Sequence, residues 1–339
     1  MSTVRASTPI REISAADLTS EPERWTCAAQ PWVARSLAGE WPLVKEAKKG
    51  NTEFFTYLLR FYSGVKVSAF LGEPEIRGRF FYNADMTGFN FTQVQTQLDQ
   101  LADKLLSLSS LESPPSLYMG STHLGHWLPG LERENELPFS LNNALASLWL
   151  GNRSTVATHF DYPANIACCV AGTRLFTLFP PDQVGNLYIG PWDLTPAGQP
   201  ISLVDINDPD LSSHPRFEIA MRHAMFIELQ PGDCIYIPSL WWHQVESIGS
   251  INGLVNFWWT DQPAVFGSPV DALSHALMAI KSLPKNQRAA WKAYFEHYIF
   301  SSSTESAGDW PPHLNDRAQT VTPDIAKRLR AELLNNLKR

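Results

Sequence analysis

The stretch THFDYPAN at residues 158–165 places a histidine and a carboxylate two positions apart within a hydrophobic part of the chain. In an extended strand, neighbouring side chains point to opposite faces and residues two apart share a face. His159 and Asp161 therefore project together from one side, while Phe160 points to the other. The spacing indicates a strand that delivers an imidazole and a carboxylate to one point.

A third ligand for a metal is offered by His243, in the run WWHQVES at residues 241–247 on a later predicted strand. Two histidines and one carboxylate form the facial arrangement that leaves coordination positions open on non-haem iron(II). The pattern HxD is common by chance, and a single histidine in a strand is more often a hydrogen-bonded core residue. From these residues alone, a metal site and a pair of core histidines both remain open.

The composition indicates a globular protein with a large core. The chain has 339 residues, of which 44% are hydrophobic, which is enough for one large domain or two smaller ones. The net charge of −7 gives no electrostatic basis for nucleic-acid binding, which requires a basic surface. The four cysteines follow no CxxC spacing, which argues against a disulfide scaffold or a thiolate zinc site.

The beginning of the chain lacks the apolar segment of a signal peptide, and no stretch approaches the roughly 18 apolar residues that span a bilayer. These observations predict a soluble cytoplasmic protein that binds neither membrane nor nucleic acid.

The middle of the chain has the sequence pattern of a β-sandwich or barrel. Between residues 115 and 260, short β-branched and aromatic runs alternate with Pro and Gly, a pattern typical of many short strands. The turn PGD at residues 231–233 is the strongest hairpin-like signal. The runs are SLYMGS, ALASLWLG, ANIACCVAG, TRLFTLFPP, MFIELQPGD, CIYIPSLWWHQVES and GLVNFWW.

The regions on either side contain helices. Before residue 110 we expect short strands and three helices, the last two at residues 51–62 and 91–107. After residue 261 we expect helices at 269–282, 284–300 and 323–337, with a polar linker at 301–308. The predicted fold class is therefore mainly β with flanking helices. Its predicted domains are an N-terminal α+β region packed on the barrel (1–110), the barrel (111–262) and a C-terminal helical region (263–339).

Five motifs in a fixed order carry a resemblance to a known family: HxD at 159–161, FPPDQ at 179–183, PGDCIYIP at 231–238, WWH at 241–243 and VNFW at 255–258. The chain resembles the cupin-like JmjC-domain Fe(II)/2-oxoglutarate-dependent oxygenases, and among them the asparaginyl hydroxylases of the hypoxia-inducible factor. The resemblance implies a double-stranded β-helix, or jelly roll. It also implies that His159, Asp161 and His243 are the catalytic ligands of iron(II).

The same resemblance implies positions for the co-substrate 2-oxoglutarate, which reacts together with O2. Arg174 stands where the family has a lysine that meets the far carboxylate, and a guanidinium can pair with a carboxylate through two parallel hydrogen bonds. Tyr118 matches a tyrosine that bonds the same carboxylate, and Asn165 and Asn256 match amides beside the iron-bound end. The alternatives are a surface ion pair for Arg174, a half-buried strand tyrosine, and amides bonded to nearby backbone.

One position departs from the family pattern. Val156 stands where the relatives have a threonine three residues before the first ligand. Thr155 and Thr158 are the candidate replacements, although Thr155 is expected to point away from the site. Because of this departure, the resemblance does not determine every contact of the co-substrate.

The function implied by the resemblance is hydroxylation of a protein or peptide side chain, and an oxygenase acting on a small molecule is an alternative. A non-catalytic cupin-like module that binds metal or ligand is a second alternative, and a cupin enzyme without 2-oxoglutarate is a third; the third predicts that Arg174 does not face the metal. We expect five aromatic residues to line the pocket and loops 188–200 and 202–217 to shape its entrance. The aromatic residues are Phe160, Phe176, Trp241, Trp242 and Trp258.

The C-terminal helices are expected to form a homodimer by family analogy, because their apolar stripe has to be covered. Folding back on the barrel is the alternative.

Overall fold

The computed structural model describes residues 8–301 and 321–338. Contacts divide the chain into two compact units, residues 1–259 and residues 260–339. Each unit is described separately. The predicted boundary at residue 110 stays a prediction, although strands from before and after it pair within the same sheets.

The first unit contains two mainly antiparallel sheets. One sheet has nine strands in the order β1-β2-β12-β9-β14-β7-β6-β3-β5, and the other has five in the order β11-β10-β13-β8-β4. The strands are β1 Arg11–Glu12, β2 Trp32–Ala34, β3 Val67–Gly72, β4 Arg79–Phe80, β5 Thr92–Thr96, β6 Ser116–His123, β7 Leu145–Gly151, β8 Ser154–Phe160, β9 Ala164–Ala171, β10 Arg174–Phe179, β11 Met225–Leu229, β12 Cys234–Ile237, β13 Trp242–Ser247 and β14 Asn252–Trp259.

This β-rich architecture with flanking helices confirms the predicted fold class. The run ANIACCVA forms β9, which is buried along nearly its whole length because it lies inside the nine-stranded sheet. Its adjacent cysteines point to opposite faces, as period-two alternation requires, so that Cys168 joins one core cluster and Cys169 joins another. The strand thus contributes to packing on both of its sides.

Short helices accompany the sheets. The longest in the first unit, α5, buries one stripe of leucine and alanine at helical spacing, which fixes it against the largest core cluster. The helices of the first unit are α1 Ala15–Ser20, α2 Pro22–Thr26, α3 Pro42–Lys49, α4 Asn51–Leu59, α5 Leu98–Leu108, α6 Leu124–Trp127, α7 Leu131–Glu134 and α8 Phe217–Arg222.

The helix predicted over residues 91–107 was wrong in its first part. Residues Thr92–Thr96 form β5 and pair with β3, and the helix begins only at Leu98. The sequence TQVQT alternates β-branched residues with glutamines, which suits an edge strand better than a helix.

The hairpin predicted at residues 231–233 was also wrong. Strand β11 pairs with β10 in the five-stranded sheet, whereas β12 pairs with β2 and β9 in the other. The turn therefore carries the chain from one sheet to the other. Asp233 holds it by accepting hydrogen bonds from the Arg35 guanidinium at 2.8 Å and from the backbone N–H of Ser36 at 2.9 Å. Gly232 has φ +108°, and a Cβ there would lie 3.0 Å from the Cα of Gly39.

The second unit is helical in its described residues. It contains α9 Pro269–Ile280, α10 Lys285–Phe295 continued by a π-helical segment Glu296–Phe300, and α11 Pro323–Leu337. These correspond to the three predicted helices. The predicted linker lies outside the described residues except for Ser301.

Among residues 8–301 and 321–338, the structure contains no helix with the length and apolar character needed to cross a membrane.

Thiol reactivity gives a test of the core. Cys27 is exposed, whereas Cys168, Cys169 and Cys234 are buried, and burial raises the pKa of the Cys169 thiol to about 12. Because the thiolate is the nucleophile, we expect one thiol to react with a disulfide reagent in the folded protein and all four in denaturant. Cys27→Ser should abolish the reaction of the folded protein, and rapid labelling of this variant would contradict the packing described.

Candidate metal centre

Strands β8 and β13 place the two candidate histidine ligands directly opposite each other. In their antiparallel register His159 pairs with His243, and the ring centroids are 4.4 Å apart. Asp161 follows the end of β8, on the same face as His159. One ligand atom from each of the three side chains lies within 4.8 Å of the others, and both histidines are buried. The structure therefore brings the predicted triad together.

Each imidazole faces the carbonyl of the residue two positions earlier in the chain. Nδ1 of His159 lies 2.9 Å from the carbonyl oxygen of Ala157, and Nδ1 of His243 lies 3.0 Å from that of Trp241. Because a carbonyl only accepts, Nδ1 carries the proton in the neutral ring and Nε2 is left with a lone pair. Burial, followed by the nearby His159, lowers the pKa of His243 to about 4. Its ring is thus neutral at ordinary pH, as a metal ligand must be.

The carboxylate of Asp161 lies between the two sheets and accepts a hydrogen bond from one of them. Its Oδ2 lies 3.7 Å from Nε2 of His243, and the indole N–H of Trp258 donates to the same oxygen at 3.3 Å. Trp258 belongs to β14 in the nine-stranded sheet, whereas β8 and β13 belong to the five-stranded sheet. The carboxylate therefore receives its hydrogen bond from the nine-stranded sheet and has its nearest candidate co-ligand in the five-stranded sheet.

A cavity of about 360 Å³ opens next to the triad and is lined by both sheets. Its wall is strongly aromatic. Phe80 and Phe91 have ring centroids 5.3 Å apart, and Phe70 lies 5.4 Å from Phe91. These three phenylalanines come from residues before 110 and were not predicted as site residues. No local motif marks them, because an isolated phenylalanine in a strand or loop is ordinary core material.

Arg174 lines the same cavity and is the most unusual charge in the site. It is the first residue of β10 and is only 2% exposed. Its Nε and one terminal guanidinium nitrogen are buried without a hydrogen-bond partner. Burial lowers the pKa of this guanidinium. A buried cation with free donors is a site for an anionic group, and a carboxylate matches its planar geometry.

The other predicted co-substrate residues also line the cavity. Tyr118 is buried, which raises the pKa of its phenol, and its ring stacks on Trp149 at 5.7 Å. Asn256 donates to the side-chain oxygen of Asn165 at 2.8 Å, whereas its own side-chain oxygen is buried without a partner. The two amides therefore bond to each other rather than to nearby backbone. The side-chain oxygen of Asn256 remains available to accept a hydrogen bond at the cavity.

An irregularity in β8 shapes the wall beside the first ligand. His243 pairs with His159 but Val245 pairs with Val156, so β8 has one extra residue opposite β13. A bulge of this kind breaks simple alternation, and both Val156 and Ala157 line the cavity. Thr155 and Thr158 are not among the lining residues. Thr158 is fully buried, and its hydroxyl oxygen has no hydrogen-bond partner.

The predicted aromatic lining was partly wrong. Phe176 and Trp258 do line the cavity, but Phe160 and Trp242 pack edge to face at 4.9 Å in a separate core cluster, and Trp241 lies in another. Phe160 and Trp242 are direct neighbours of the two histidines along their strands. Strand alternation therefore sends them to the opposite face.

Comparison with known sequences decides the family. The profile of the cupin-like domain family matches residues 18–265, which include the triad and every strand of the two sheets except β1. The chain belongs to the cupin-like domain family. The predicted JmjC-type cupin oxygenase resemblance is thereby confirmed at the level of the family.

Individual relatives of this family member have diverse names. The chain is similar to the lysine-specific demethylase JMJ31 of Arabidopsis thaliana, with 33% identity over 114 residues that cover 33% of this chain and 20% of the relative. It is 32% identical to HSPB1-associated protein 1 of Homo sapiens over 155 residues, which cover 44% of this chain and 31% of the relative. It is 32% identical to the tRNA wybutosine-synthesizing protein 5 of Danio rerio over 101 residues, which cover 30% of this chain and 28% of the relative. The matched regions thus span between a fifth and a third of these relatives.

The residues present fit a non-haem metal and an anionic ligand. Two imidazoles, each with Nδ1 directed at a backbone carbonyl, and one carboxylate form the donor set of a facial site. Ligand atoms at right angles around one ion lie roughly 3 Å apart, so the observed spread within 4.8 Å closes with small side-chain movements. The unpaired guanidinium nitrogens of Arg174 supply the complementary donors for a carboxylate in the same cavity.

The unpaired charge of Arg174 predicts a stability effect. Since a buried donor without a partner is destabilising, we expect Arg174→Met to raise the free energy of unfolding of the ligand-free protein by roughly 1–3 kcal/mol. Calorimetric unfolding measures this effect. The exposed Arg153→Met is the matched control and should stay within about 0.5 kcal/mol of the wild type. A less stable Arg174→Met protein would show that the guanidinium has partners.

Proposed function

We propose that this protein is an Fe(II)- and 2-oxoglutarate-dependent dioxygenase that hydroxylates a protein or peptide side chain. The observation that carries the proposal is the combination within one cavity of the His159, Asp161 and His243 triad with the buried, partly unpaired guanidinium of Arg174. A metal-binding module without chemistry would need no second charged anchor beside its ligands. A cupin enzyme without 2-oxoglutarate would not require Arg174 to face the cavity.

The residues have distinct tasks. Iron(II), when bound with 2-oxoglutarate, would supply the chemistry by which O2 oxidises the co-substrate to succinate and carbon dioxide and hydroxylates the substrate, with one oxygen atom going to each product. His159, Asp161 and His243 hold the metal and leave one side of it open. Arg174 and Tyr118 bind the far carboxylate, while Asn165 and Asn256 orient the end near the metal. The aromatic wall excludes water from the reacting groups.

The substrate is the least constrained part of the proposal. Residues 196–198 line the cavity and lie in the loop that is predicted to shape its entrance, which supports the approach of a protein or peptide side chain from that side. The names of the relatives include a lysine-specific demethylase and a tRNA wybutosine-synthesizing protein. Removal of a methyl group would use the same centre and is an outcome of the substrate test below. An enzyme that oxidises a small molecule would release succinate and leave the peptide masses unchanged.

Turnover of the co-substrate tests the proposal. We expect the protein with Fe(II), ascorbate and 2-oxoglutarate to release succinate, and Asp161→Ala to reduce this at least 100-fold because the ion loses its only anionic protein ligand. Asp208→Ala, an exposed carboxylate away from the cavity lining, should behave as the wild type. Mass spectrometry of a peptide library incubated with the protein then separates a gain of 16 Da from a loss of 14 Da.

Two results would reject the proposal. One is the absence of both succinate release and calorimetric 2-oxoglutarate binding in the iron-loaded wild type. The other is unchanged 2-oxoglutarate affinity in Arg174→Met, which would place the co-substrate elsewhere.

We also propose that α9 and α10 form a homodimer contact. The two helices border an apolar groove, and Leu277, Trp291 and Tyr294 are 40%, 47% and 58% exposed. Large exposed apolar side chains grouped on one face are typical of an interaction surface.

Light scattering tests the dimer. The wild type should have about twice the monomer mass of 38.0 kDa. Leu277→Asp together with Trp291→Asp should give the monomer, because two charges would be buried without partners. Asn286→Asp, an exposed change on the same unit, is the control and should leave the mass unchanged. A monomeric wild type would contradict the contact.

A further inference from the structure

We infer that Trp258 is a positioning residue for the metal centre, and that its indole N–H holds the carboxylate of Asp161 in the orientation that binds the ion. The inference rests on the proposed function, because it concerns the same metal. It adds a residue that contacts a ligand rather than the ion.

The three candidate ligands differ in how they are oriented. Each histidine faces the carbonyl of the residue two positions earlier in the chain, at 2.9 Å for His159 and 3.0 Å for His243. The partners of these two ligands are therefore backbone groups close in sequence. Asp161 lies beyond the last residue of β8, where the pairing with β13 has ended. Its carboxylate therefore needs a partner from another part of the chain.

Trp258 supplies that partner from 97 residues away. It lies on β14, pairs in register with Asn165 of β9, and lines the cavity. Its ring packs edge to face on Trp149 at 5.8 Å, and Trp149 stacks on Tyr118 at 5.7 Å. This aromatic row fixes the plane of the indole. Because the N–H lies in that plane, the row also fixes the direction in which it donates.

The bond has a physical consequence for the metal. A carboxylate that can rotate freely loses conformational entropy when it binds an ion, and it can also bind through both oxygens and occupy a position needed for other ligands. A donor on Oδ2 restricts the rotation and reduces the capacity of that oxygen for a second strong interaction. Partners of metal ligands of this kind change affinity by about 10- to 100-fold when removed.

Co(II) binding under argon is a readout that is independent of turnover. Trp258→Phe removes the donor and keeps an aromatic ring, and we expect the dissociation constant for Co(II) to rise about 10-fold, with a changed visible spectrum of the bound ion. Trp259→Phe is the matched control: it makes the same change one residue along β14, where the ring packs in the core beside Tyr236 at 5.9 Å. This variant should bind Co(II) as the wild type does.

A double-mutant cycle tests whether Trp258 changes the Co(II) affinity through Asp161. In an Asp161→Ala background, Trp258→Phe should cause no further loss of Co(II) affinity, because the only ligand that it orients has been removed. An equal loss in both backgrounds, or wild-type affinity in Trp258→Phe, would overturn the inference.

A measurement on the wild type covers the case in which Trp258→Phe does not fold. In protein labelled with 15N at tryptophan, one indole N–H resonance should shift when Zn(II) is added, and this shift should be absent in Asp161→Ala. If no indole resonance moves, the inference fails. A wild-type protein that binds neither ion would instead reject the proposed metal centre itself.

Discussion

The direct opposition of His159 and His243 in the β8–β13 ladder is the constraint on which the candidate centre depends. Register in an antiparallel pair decides the face of every side chain, and a shift by one residue would turn both imidazoles away from the cavity. The two strands are distant in sequence, so the site exists only when the five-stranded sheet has formed. The same register places the flanking aromatic residues in the core behind it, which stabilises the strands that carry the ligands.

The cavity combines few charges with a mainly apolar wall. Asp161 and Arg174 are the charged residues of its lining, and most of the other lining residues are aromatic or aliphatic. In such surroundings an electrostatic interaction is much stronger than in water. An ion at one end and an anionic group at the other would therefore each be bound firmly. The free protein bears the corresponding cost as a buried guanidinium with two unpaired nitrogens.

Much of this organisation could be predicted from the sequence. Strand alternation and the spacing of His159, Asp161 and His243 indicated the triad, and the order of five motifs indicated the family and the β-rich fold. These signals are local or depend on motif order. The role of Trp258 and the phenylalanine wall could not be predicted in this way, because they depend on which distant strands meet across the cavity. The turn at residues 231–233 failed for the same reason, since a turn does not specify whether its two strands pair with each other.

The bulge in β8 lies between the histidine ligand pair and the part of the cavity wall that the same strand supplies. The ligand pair sits on one side of the irregularity, and Val156 and Ala157 form the adjoining wall on the other. Substitutions at 156 and 157 would therefore change the shape of the cavity wall while the pairing of His159 with His243 stays in place. The bulge thus separates the contour of the cavity from the placement of the imidazoles.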